Sequence, residues 1–212
     1  MNWLEDEEKK LSKKVAEYEL ALCFLKENNV EDAVKHLLLA VEPCNEMDRY
    51  NWGIIYYKGV GVEKDYAKAL KWFELAAEKN YASAERILGW MYYNGEGVEK
   101  NEEKAAELFV RAVKHGYEDA ATRYMAGQSF LYAVSVEQDI DKGVQLLRKA
   151  ANMERDENCR AAQCLLGELY YEGTLVERDL REAEKWLTIA AKNGSEDAAG
   201  LLEKVMSELQ NT

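Results

Sequence analysis

The sequence predicts an all-α solenoid, a stack of antiparallel helix pairs. Three observations carry that expectation. First, one segment recurs at fixed spacing: Trp52-Gly53-Ile54-Ile55-Tyr56-Tyr57-Lys58-Gly59-Val60-Gly61-Val62 returns 36 positions on as Leu88-Gly89-Trp90-Met91-Tyr92-Tyr93-Asn94-Gly95-Glu96-Gly97-Val98. It returns again, 78 positions later, as Leu166-Gly167-Glu168-Leu169-Tyr170-Tyr171-Glu172-Gly173-Thr174-Leu175-Val176. Self-similarity at such a period marks stacked helical units, each burying its apolar face against its neighbours. Second, the residues after each copy follow a helical period: Tyr66, Ala69, Leu70, Phe73, Ala76 and Ala77 fall on one helix face. Third, glycines sit where helices end and turn.

The N-terminal segment, residues 4–44, reads as a plain helix pair. Leu20, Ala21 and Phe24 face Ala33, Leu37 and Ala40 across a short turn at Asn28-Asn29. Cys23 and Cys44 flank that turn with an axial offset of roughly 15 Å at ~1.5 Å per helical residue. A disulfide needs Cα atoms within ~7 Å, so both are expected as thiols. Cys159 and Cys164 have no histidine nearby and make no zinc pattern. All four cysteines are therefore expected free.

Residues 47–82 and 83–118 are the two best copies. Gly53, Gly89 and, later, Gly167 lie inside a first helix, where glycine costs ~1 kcal/mol relative to alanine. The compensating gain is close approach of the paired helix, whose small Ala69, Ala76 and Ala77 pack in return. Tyr56, Tyr92 and Tyr170 fill the space one turn on. Asp65, Asn101 and Asp179 suit the N-cap of each second helix. Gly116 and Gly194 suit the position just past its end.

Residues 119–160 form a degenerate copy, with Ala120, Tyr124 and Gln128, then Lys142-Gly143, Leu146 and Ala150-Ala151. Its loop, Leu131-Tyr132-Ala133-Val134, lacks both glycines. Two extra residues are expected before its second helix and four after. Faster amide exchange is accordingly expected at 131–139 and 152–158 than at 95–101. Residues 161–195 restore the pattern, and 196–212 read as one closing helix with Glu203, Lys204 and Glu208 toward solvent. The single proline, Pro43, and the lack of a Gly/Ser-rich linker predict one repeat domain over 1–212.

Composition narrows function by exclusion. A formal net charge of −12 disfavours nucleic acid and anionic membrane, and favours a basic partner through steering. No stretch approaches the ~18 apolar residues of a membrane span. The acidic start Glu5-Asp6-Glu7-Glu8 is not a secretory signal, so cytoplasmic residence is the default. His36 and His115 lie in different units, and no nucleophile, phosphate-loop or zinc-protease motif appears. No catalytic residue, metal or cofactor is expected.

The pattern Ala-x3-Leu-Gly-x2-Tyr-x2-Gly-x-Gly-Val, followed by Asp, Lys-Ala, Trp, Ala-Ala and Gly, resembles the Sel-one-like repeat (SLR), a relative of the tetratricopeptide repeat. Ala84 to Gly116 and Ala162 to Gly194 carry it most fully. The resemblance implies a right-handed superhelix with the first helix of each unit lining a concave groove. By tetratricopeptide analogy the groove residues are Tyr50, Ile54, Tyr57 and Lys58, then Arg86, Trp90, Tyr93 and Asn94, then Glu168, Tyr171 and Glu172. It implies a non-enzymatic scaffold or adaptor that holds a peptide or protein surface there. A narrower version is an inhibitor-like or immunity-type protein masking a basic effector. The alternative is a small β-lactamase-like hydrolase, a description attached to disulfide-rich SLR proteins whose cysteine pair per repeat this chain lacks.

Overall fold

The computed structural model describes residues 3–27, 29–40, 45–153 and 157–210. Among them lie eleven α-helices and no strand: α1 (Trp3–Lys26), α2 (Val30–Ala40), α3 (Glu46–Lys58), α4 (Tyr66–Ala77), α5 (Ala82–Asn94), α6 (Glu102–Lys114), α7 (Ala120–Leu131), α8 (Ile140–Ala151), α9 (Glu157–Glu172), α10 (Leu180–Lys192) and α11 (Glu196–Gln210). Contacts gather them into two compact units, residues 1–100 and 101–212. In the first, α1 packs on α2, and α4 on both α3 and α5. In the second, consecutive helices from α6 to α11 pack pairwise, and α9 also touches α7 and α11. Asn28, Pro43 and Cys44 lie outside the described residues.

Local chemistry sets the helix starts. The side chains of Asn45, Asp65, Asn101, Asp119, Asp139 and Asp179 each accept a hydrogen bond from a backbone N–H in the first turn that follows. Each satisfies a donor that the helix cannot. At the other end, Gly116 and Gly194 follow the C-caps His115 and Asn193 with φ of 94° and 89°.

Packing explains the internal glycines. A Cβ at Gly53 would overlap the Phe73 ring of α4, and one at Gly167 would stand 2.5 Å from Leu187 Cγ of α10. Gly127 does the same for α7, where a Cβ would meet Gly143 O and Leu147 at 3.2 Å. The paired helices therefore close over fully buried Phe73, Leu147 and Leu187.

The degenerate unit departs from the expected placement of its extra residues. Gly53, Gly89, Gly127 and Gly167 each stand 12 positions before the next N-cap, at Asp65, Asn101, Asp139 and Asp179. No residue is inserted before α8. The two extra residues fall between α6 and α7, because Gly127, not a position two residues earlier, is the counterpart of Gly89. The loop also keeps the shape of its relatives. Ala133 and Ser135 adopt φ of 56° and 59° where Gly95 and Gly97 adopt 73° and 71°. Val134 N donates to Ser129 O at 3.0 Å as Glu96 N donates to Met91 O at 2.9 Å. Backbone shape here survives the loss of the residues that favour it, at a conformational cost carried by Ala133 and Ser135.

Cys23, Cys159 and Cys164 are free thiols. Cys159 is buried, its Sγ 3.2 Å from Ala151 O.

Candidate groove between α3 and α5

Tyr50, Ile54, Tyr57 and Lys58 recur at intervals of four, three and one along α3, which places them on one helix face. Arg86, Trp90, Tyr93 and Asn94 occupy the same register on α5. In the structure Tyr50, Ile54, Tyr57, Lys58, Arg86, Trp90 and Asn94, with Ile87, line one cavity of about 310 Å³. Seven of the eight residues expected from these helices converge there. Ile87 joins them from one turn before Trp90.

The walls divide by chemistry. Tyr50 and Tyr57 are partly core. The Tyr50 ring lies 5.8 Å from Phe73 and 5.2 Å from Tyr81, and the Tyr57 ring 5.3 Å from Tyr66 and 6.1 Å from Phe73. Tyr57 Oη donates to Glu96 Oε2 at 2.5 Å, and burial together with that carboxylate raises its phenol well above the usual range. Tyr57 is therefore a fixed neutral donor at physiological pH, not a nucleophile or base. Ile54, Ile87 and Trp90 give an apolar wall, and Lys58 and Arg86 give two cations. No carboxylate lines the cavity among the described residues.

Tyr93 stands apart from the expectation. It is exposed, outside the cavity wall, and its ring meets Trp90 edge to face at 5.7 Å while Lys100 Nζ lies 5.6 Å from its centroid. It buttresses Trp90 from the rim. Trp90 itself is half-buried.

In the second unit, Glu168, Tyr171 and Glu172 keep the corresponding register on α9. They form an acidic surface instead of an apolar wall. Partial desolvation, then Glu172 and Asp197, push the Glu168 carboxyl up from the ordinary range. Tyr132, the C-cap of α7 and half exposed, is raised by its own burial and then by Glu168 and Glu172. Tyr171 is engaged: its Oη donates to Glu208 Oε1 of α11 at 2.9 Å, and Arg178 lies over its ring. Tyr132 is not among the residues that the repeat analogy selects. Its register, five positions after Gly127 as Lys58 is after Gly53, is the signal that marks it.

His36 of α2 faces α1. Its Nδ1 lies 2.6 Å from Glu17 Oε2 and its ring stacks on Phe24 at 5.2 Å. Among the described residues no group of three or more His, Cys, Asp or Glu side chains is placed to hold a metal, and no helix is long and apolar enough to cross a membrane.

Paired helices with side-chain caps and interlocking glycines define a helical repeat protein of the α/α-solenoid class. The Sel1 repeat model matches residues 49–81, 82–117, 120–154 and 160–195, and the chain belongs to the Sel1 repeat family. Sel1 repeats generally serve as protein-interaction scaffolds. The structure is similar to that of a Sel1 repeat protein from Oxalobacter formigenes, with 25% identity and a TM-score of 0.66 over 91% of this chain and 74% of that one. It is also similar to a protective antigen of uropathogenic Escherichia coli that displays an SLR fold, with 27% identity and a TM-score of 0.66 over 92% of this chain. This chain spans 41% of the length of that antigen. No curated protein matches the chain.

Proposed function

We propose that the chain is a non-enzymatic binding scaffold that seats a segment of a partner protein in the cavity between α3 and α5. One observation carries the reading: seven side chains chosen by repeat register converge on one cavity of about 310 Å³. That volume takes one or two side chains, not a folded domain, so an anchoring residue of the partner enters it. The wall chemistry selects the anchor. Ile54, Ile87 and Trp90 accept an apolar or aromatic side chain, and Lys58 with Arg86 accept an adjacent carboxylate or main-chain carbonyl. The net charge of −12 still draws a basic partner from a distance, and Glu168 with Glu172 extend that preference on the second unit. An inhibitor-like role toward such a partner is the narrower form of this reading.

The test uses the full chain as bait in an extract of its host, with partners identified by mass spectrometry and affinity measured by calorimetry. Trp90→Ala is expected to leave the far-ultraviolet spectrum intact and to weaken binding by roughly 10- to 100-fold, the range of an aromatic hot spot. Unchanged affinity in a folded Trp90→Ala variant overturns the reading. A survey of β-lactam hydrolysis separates it from the hydrolase alternative: the scaffold gives no turnover above background.

A further inference from the structure

The loop that joins the two helices of each repeat closes, in three of four cases, onto the first turn of the second helix of the preceding unit. Gly61 lies against Glu31, where a Cβ would come within 2.9 Å of Glu31 O and Cα. Gly97 lies so close to Tyr66 that a Cβ would overlap its Cβ. Ser135 replaces the glycine but keeps the left-handed backbone, and its Oγ donates to Glu103 O at 2.8 Å. Glu31 and Glu103 occupy the same place, two residues past the N-caps Asn29 and Asn101.

The fourth loop carries a different residue at this place. Leu175 stands where Gly61, Gly97 and Ser135 stand, and it is not among the described non-glycine residues with positive φ. Its counterpart contact is the first turn of α8, Ile140 and Asp141. Leu175 lines a cavity of about 900 Å³ between the first turns of α8, the loop before α10 and the start of α10. Ile140, Val144, Leu175 and Val176 line it, and all four are partly buried on the core built around Leu147, Leu166 and Trp186.

Its charges are unevenly engaged. Arg148 donates to Glu182 Oε2 at 3.0 Å and to Tyr170 Oη at 2.9 Å. Arg178 is paired with Glu208, and Asp179 caps α10. Asp141 and Glu177 remain, with no hydrogen-bond or ion-pair partner among the described residues. Two unengaged carboxylates therefore border an apolar floor.

We propose that this groove docks an extended partner segment that sets an aliphatic side chain on Ile140, Val144 and Leu175 and a neighbouring lysine or arginine at Asp141 or Glu177. The proposal rests on the scaffold reading only for the class of ligand, since no residue is shared with the cavity between α3 and α5.

The probe is a pair of synthetic decapeptide pools with Leu, Ile and Val at alternate positions. One pool carries Lys and Arg between them, the other Asp and Glu. Each is titrated into the ¹⁵N-labelled full chain. The basic pool is expected to shift the amides of residues 140–148 and 173–179, and the acidic pool to leave them in place. Leu175→Gly, which places there the residue of the first two loops, is expected to weaken binding roughly tenfold. Asp141→Asn with Glu177→Gln is expected to abolish the preference for the basic pool. Trp90→Ala is expected to change none of this, so failure here and failure of the α3–α5 cavity are told apart. The proposal is overturned by equal shifts from both pools, by none from either, or by undiminished binding to folded Leu175→Gly. Shifts that grow with chain concentration alone assign the groove to a second copy and overturn it as well.

Discussion

Ala133 is the residue whose replacement is most informative about the degenerate loop. It holds φ of 56° without glycine's freedom. An L-residue there costs roughly 1–2 kcal/mol, and glycine's extra unfolded-state entropy returns part of it. Ala133→Gly is therefore expected to stabilise the chain by roughly 0.5–1 kcal/mol, read as a higher urea midpoint at unchanged slope. Ser135→Gly is a poorer test, because it also removes the bond to Glu103 O. Glu168 gives a pH-dependent counterpart. Its carboxyl is raised in the folded state, so ionised Glu168 opposes folding above that raised value, and the penalty fades as pH falls through it toward the ordinary glutamate range. Glu168→Gln is expected to raise the melting temperature at pH 7, with a gain that shrinks by pH 4. A gain that stays constant across that range argues against the assignment. The thiols complete this scale: Cys23, Cys159 and Cys164 are free, and titration of denatured, unreduced protein is expected to count four once Cys44 is included. A count of two reveals a disulfide and an oxidising compartment.

At the scale of elements, glycine has opposite meanings in neighbouring helices. Gly53→Ala drives a methyl group into Phe73, and Gly167→Ala into Leu187. Each is expected to cost about 1–3 kcal/mol through overpacking. Gly200 of α11 has nothing within 4 Å of its would-be Cβ. Gly200→Ala is expected to stabilise by up to ~1 kcal/mol, the propensity difference alone. A calorimetric comparison of the three variants checks both signs. The elements are also where the limits of sequence reading lie. Helix starts are legible because Asp and Asn carry their capping chemistry in the side chain. The register of α7 misleads when it is set by alanines, which are interchangeable along a first helix, whereas the buried Gly127 is not. The residues that line the cavity between α3 and α5 share a repeat register, but it is the tetratricopeptide analogy, not the spacing, that points to that face. The groove at α8 is not legible, although Leu175 is visible in the third loop. Reading it requires the knowledge that the second loop glycine packs against the preceding unit, and only the packed structure supplies that. The case for fast exchange at 131–139 weakens for the same reason, since that loop is neither longer nor less hydrogen-bonded than its relatives.

For the molecule as a whole, the two compact units frame a test of unfolding cooperativity. Each contains its own buried residues, Phe73 and Met91 in one, Leu147, Leu166 and Leu187 in the other. Repeat arrays depart from all-or-none unfolding when cooperativity along the array breaks down. Thermal unfolding is expected to give a van't Hoff enthalpy below the calorimetric one. Trp90 and Trp186 report on different units, so two single-tryptophan variants, each retaining one of them, are expected to show distinct fluorescence midpoints. Coincident midpoints and equal enthalpies refute the separation.

Within each unit, every helix with substantial contacts touches only helices one or two places away in the chain. Native contacts are thus short in sequence, and forming them closes only small loops of chain. Loop-closure entropy is correspondingly modest at every step. Folding speed follows from this geometry: chains rich in local contacts reach the native state in microseconds to milliseconds. A nascent chain that has released α3, α4 and α5 already holds every residue of the cavity between α3 and α5. That cavity can therefore form before the last helices are synthesised.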